Sequence, residues 1–164
     1  MLKPRYFASI ALLLLFAAGV TSSLRAETAG FPKDKPAFTV DVPNGWTVTH
    51  APDGSFLMVG DGMNNVSFLS VPAGSEVSDK ATASATIAKL IERDMKDGKD
   101  QMTVTDPAEI TVAGNKAYSA KINEKASGTL ILEITLFSAD SKAYYASSAT
   151  GDVSKVMASI KAEK

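Results

Sequence analysis

The chain has no cysteine among its 164 residues. That excludes disulfides, thiolate catalysis, cysteine metal sites and a lipid-modified N-terminal cysteine. Histidine is almost missing as well: His50 stands alone, and no G-x-S-x-G elbow accompanies it. A hydrolytic triad needs a nucleophile, a base and an orienting acid, so a hydrolase ranks last among the functional readings. Neither sign of charge dominates, with 17 basic against 18 acidic residues. Scattered lysines make no stripe that would follow phosphates, which argues against nucleic acid as a partner. Long apolar runs are lacking too, with one exception at the N-terminus.

That exception has three successive characters. Met1 to Tyr6 carry Lys3 and Arg5 and no acid, Phe7 to Val20 are almost wholly apolar, and Thr21 to Ala26 are mainly small or polar. A basic start, a short apolar core and a small-residue exit describe a secretory signal peptide, cut after Ala26 or, alternatively, near Ser22. An uncleaved anchor fits less well, because a spanning helix wants about 20 apolar residues and this run has roughly 14. Removing residues 1–26 takes away Lys3, Arg5 and Arg25, leaving 14 basic and 18 acidic residues, a net charge of -4 on 138 residues. The expected product is periplasmic or secreted, has no membrane span after cleavage, and is long enough for one domain with a real core.

Residues 27–35 are polar, contain Gly30 and Pro32, and show no period, so they read as a flexible tether. From residue 36 to 164 a single domain is expected. Phe38, Val40 and Val42 alternate with Thr39 and Asp41 in a half-buried strand. Pro43-Asn44-Gly45 then turns the chain into a return strand carrying Trp46, Val48 and His50 on one face. With Phe56–Gly60 and Val66–Val71 this predicts a four-stranded antiparallel meander. The period changes after Ser78, the expected N-cap, with Asp79 in the first turn. Ala83, Ile87, Leu90, Ile91 and Met95 form one helical stripe, and Gly98 stands at the expected C-cap. On the opposite side, Glu92 and Lys96 form an i,i+4 pair.

Strand patterns return at Met102–Thr105, Ile110–Val112 and Lys116–Asn123. Thr129–Phe137 is the most apolar: Leu130, Leu132, Ile134 and Leu136 face one way, and Ile131 and Phe137 the other. A strand apolar on both faces is a central one. Ala143–Ser148 follows, and Val153, Val156, Met157 and Ile160 mark a closing helix. The expected class is α+β, with an antiparallel sheet, a mid-chain helix and a C-terminal helix.

The segment Phe38-Thr39-Val40-Asp41-Val42-Pro43-Asn44-Gly45-Trp46 resembles the opening of the PsbP-like family. The helix after the fourth strand, Gly114-Asn115-Lys116-Ala117-Tyr118, the long apolar strand and Tyr144-Tyr145 match too. This family includes the photosystem II extrinsic protein and bacterial periplasmic DcrB-like proteins. The resemblance implies an α/β/α sandwich on an antiparallel sheet, acting as a binding or accessory module. It brings no shared catalytic residue, and none is carried over.

No cofactor or metal site is read from the residues. Asp61-Gly62-Met63-Asn64-Asn65 lacks the spacing of an EF-hand loop and reads as a hairpin connection. Asp97, Asp100, Asp106 and Glu109 read as a solvated rim. Tyr144 and Tyr145 are the candidate partner-binding residues, because adjacent strand residues face opposite sides and one ring must leave the main core face. Helices covering both faces would remove that exposure. The functional expectation is a non-enzymatic accessory domain that engages an envelope protein. A carrier of a small apolar ligand or lipid, held between sheet and helix, is the alternative.

Overall fold

The computed structural model describes residues 27–73, 77–149 and 153–163. The signal peptide expected at residues 1–26 lies outside the described residues. An antiparallel meander is present, built from β3 (Thr47–His50), β4 (Phe56–Gly60) and β5 (Asn65–Ser70). The strand before it, β2 (Phe38–Val42), does not join it. It lies instead between β1 (Glu27–Phe31) and β11 (Lys161–Ala162) in a separate three-stranded sheet. The expected 38–42/46–50 hairpin is therefore corrected: both edges of β2 are already paired. Pro43–Gly45 carries the chain from one sheet to the other through a turn closed by Trp46 N–H to Pro43 O, with Gly45 at φ 83°.

The tether expected at 27–35 is corrected over its first half. Residues Glu27–Phe31 pair with β2 from Glu27↔Val42 to Phe31↔Phe38. Ala29 and Phe31 are buried, and the Phe31 ring packs on Phe38 and Tyr144. Two apolar residues in five carry too little pattern to announce a strand; β2 supplies the backbone partners that make it one. Gly30 is required by close approach, since a Cβ there would lie 2.6 Å from Pro36 Cγ.

The main sheet continues through β6 (Met102–Val104), β7 (Ala108–Val112), β8 (Asn115–Glu124), β9 (Leu130–Ala139) and β10 (Lys142–Ser148). Its order is β3-β4-β5-β10-β9-β8-β6, with β7 also pairing β8. β9 is central, as its two-sided apolarity predicts: Ile134 and Leu136 pack toward one core and Phe137 toward the other. A bulge changes its start. Ile122 pairs with Leu132 but Asn123 pairs with Leu130, so Ile131 is the extra residue. Leu130 thereby turns to the face opposite Leu132, against the simple alternation expected.

One face of the main sheet is covered by α1 (Lys80–Asp94), through Ala83, Ile87, Leu90 and Ile91. Its N-cap is Asp79, one residue later than expected. Asp79 accepts from Thr82 N–H while the Thr82 hydroxyl meets the Asp79 N–H, a reciprocal box that Ser78 is not placed to form. The helix ends at Asp94, and residues Lys96–Gln101 continue as a 3-10 turn, so Gly98 is not its cap. The other face is covered by the small sheet together with α2 (Ser154–Ala158), whose Val156 is buried in the same core. Phe31, Phe38, Phe68, Phe137 and Tyr144 form its aromatic centre, with neighbouring centroids 5.1 to 6.5 Å apart. The architecture is α+β with a helix on each side of an antiparallel sheet, as expected; the small second sheet was not anticipated.

Candidate functional site

The tyrosines at 144 and 145 do point to opposite faces, but neither ring is exposed. Tyr144 is 1% and Tyr145 4% accessible, which corrects the expectation of an exposed recognition ring at either position. The reason is coverage: the small sheet lies over Tyr144 and α1 over Tyr145. Only the hydroxyl end of Tyr145 reaches polar surroundings. Arg93 Nη2 donates to it at 2.9 Å and to Asp94 Oδ2 at 2.7 Å, while Arg93 Nε donates to Asp94 Oδ1.

This cluster sets the electrostatics at the C-terminal end of α1. The Arg93 hydrogen bonds hold the Asp94 carboxyl below the usual carboxylate range, and Asp94 in turn raises Arg93. Burial pushes the Tyr145 phenol up, and the nearby Asp94 charge adds to that. Burial raises Tyr144 likewise. The pair is thereby kept charged and the phenol beside it neutral.

Beside the cluster runs an apolar groove of about 350 Å³. One helix is too narrow to roof the whole sheet, so half-buried Phe56, Met58 and Leu69 of the meander stay open along the flank of α1. Leu90 and Met95 form the opposite wall, with Asp94 at the rim. A second groove, of about 500 Å³, lies on the other face between the main sheet and α2, and Glu133 stands within it. Nothing in the sequence reading singled out Glu133. The available signal was that it is the one charged residue inside the apolar strand β9.

The remaining candidates separate. His50 lies half-buried on the edge strand, its Nδ1 buried without a hydrogen-bond partner, and no described serine or carboxylate is bonded to the ring. Asp61 Oδ1 accepts from the N–H groups of Met63 and Asn64, which holds its carboxyl low and closes the hairpin turn on itself. Asp106 pairs with Lys80 and Glu109 with Lys116, both exposed. Glu92 meets Lys99 at 2.7 Å. No group of three or more His, Cys, Asp or Glu suited to a metal occurs among the described residues. Among them, too, no helix is long and apolar enough to cross a membrane.

No family model and no curated protein matches the chain. Among solved structures, it is similar to cyanobacterial PsbP (CyanoP) from Synechocystis sp. PCC 6803, with a TM-score of 0.60 at 11% identity. The match covers 88% of this chain and 96% of that one. With the order of strands and the helix on each face, this likeness establishes that the chain has the PsbP-like fold.

Proposed function

We propose that the chain is exported and acts, in the periplasm or outside the cell, as a non-enzymatic accessory domain that binds a protein partner at the envelope. The observation that carries this reading is the groove flanking α1. An apolar floor of Phe56, Met58 and Leu69, bounded by Met95 and the Arg93–Asp94–Tyr145 cluster, has the composition of a small interface: aromatic and Met at the centre, charge at the rim. The basic, apolar and small-residue order of residues 1–26 supports export. That buried His50 Nδ1 makes no hydrogen bond, where a triad base would be bonded to an orienting acid, supports a non-catalytic role.

The test is co-purification from the native envelope with wild type, Met58→Asp and His50→Ala, each first shown to be folded. A true hot spot costs about 2 kcal/mol or more, roughly a thirtyfold loss of affinity. Partner recovery should therefore fall with Met58→Asp and persist with His50→Ala. Equal recovery with all three rejects this groove as the partner face, and activity abolished by His50→Ala alone rejects the non-enzymatic reading.

The same groove also favours a second reading, a carrier of a small apolar ligand or lipid between sheet and helix. Native mass spectrometry of the protein from its own compartment separates the two, since only a carrier retains an added small-molecule mass.

A further inference from the structure

We propose that the second groove is a separate binding site for a small amphiphile with a cationic amine head and an apolar tail. It arises where β7, β9 and β10 carry an uncovered stretch of the main sheet beside α2. The bulge at Ile131 turns Leu130 onto this face. Leu130 and Ile110 are two of only four exposed large hydrophobics among the described residues, at 41% and 36%, and both line the groove. Val153 and Met157 face them from α2 and its approach. A volume of about 500 Å³ suits a short alkyl chain with a head group.

The chemistry of the head follows from Glu133, the sole charged side chain lining the groove among the described residues. Ser119 donates to Glu133 Oε1 at 2.6 Å, and Thr135 donates to Ser119 at 3.3 Å. This relay pins one carboxylate oxygen and leaves Oε2 without a hydrogen bond among the described residues. Lys121 sits opposite on β8 but is exposed and makes no ion pair with Glu133. An apolar occupant would strip water from a free carboxylate oxygen and give nothing back, and an anionic one would be repelled. An ammonium group supplies N–H donors and charge together, while its tail covers Leu130 and Ile110.

Methyl NMR of the full chain, titrated with octylammonium below its micelle concentration, tests the site. Saturable shifts should appear at Ile110, Leu130, Val153 and Met157. Glu133→Gln, which keeps the shape and the Ser119 contact, should weaken binding about tenfold or more. Octanoate at equal concentration should leave these methyls unmoved. Equal titration by octanoate and octylammonium, or unchanged affinity in Glu133→Gln, overturns the proposal. So do shifts confined to Met58 and Leu69, which would place the ligand in the groove beside α1. Tighter binding of the capped peptide Leu-Lys-Leu than of octylammonium would mean that a protein segment is the occupant, again overturning it. The partner reading of the α1 groove stands or falls separately, because its variant, Met58→Asp, lies on the opposite face.

Discussion

At the scale of single residues, the aspartates are used as structural acceptors. Asp79 caps α1, Asp61 closes a hairpin and Asp94 clamps Arg93, and all three carboxyls are held below their ordinary value by those hydrogen bonds. A carboxyl lowered in the folded state contributes stability that is complete above its unfolded pKa and lost as pH falls through the folded one. Stability should therefore decline below about pH 4. Asp94→Asn should flatten part of that decline, as read from urea midpoints across pH 2 to 6. The buried phenols work in the opposite direction. Tyr144 and Tyr145 are raised by burial, so their neutral forms belong to the folded state, and stability should fall again as pH rises above about 10. Tyr145→Phe should lift part of that alkaline limit while costing about 1 kcal/mol at pH 7 through the lost contact to Arg93.

At the scale of elements, periodicity located α1 and β9 because their burial repeats along the chain. Ile134, 3% accessible under α1, should not accept a charge: Ile134→Asp is expected to cost about 3 kcal/mol or more. Exposed Lys121 on the adjacent strand should tolerate Asp with little change in melting temperature. Equal midpoints for the two variants would contradict this register. The ends of α1 were less legible. Ser78 and Asp79 are both good caps by type, and only the backbone placement selects Asp79. Asp79→Ala should lower the urea midpoint measurably, and Ser78→Ala should leave it where it is.

At the scale of the whole molecule, the first described strand belongs to the domain. Phe31 touches Phe38 and Tyr144 and is 1% accessible, so Phe31→Ala should cost about 3–5 kcal/mol, where a residue in a tether would cost nothing. Chemical denaturation measures the difference directly. If the export reading of residues 1–26 is right, the intact mass of the protein outside the cytoplasm should begin near Glu27. A cut there leaves all of β1 in place. A mass retaining Met1 to Ala26 contradicts cleavage.

What the sequence determined by itself is whatever depends on neighbours along the chain. The basic, apolar and small-residue order of residues 1–26, the alternation in β2, the stripe of α1 and the two-sided apolarity of β9 are of this kind, since each is a local pattern of residue types. Only the tertiary structure decided which surface covers which. β1 exists because β2 offers it hydrogen bonds, and β2 leaves the meander because β1 and β11 occupy both its edges. Tyr144 and Tyr145 lost their expected exposure because a sheet and a helix lie on opposite faces. The two grooves lie where those coverings end, beside α1 and beside α2. Their positions depend on the lengths and offsets of layers distant in sequence, which no local pattern encodes.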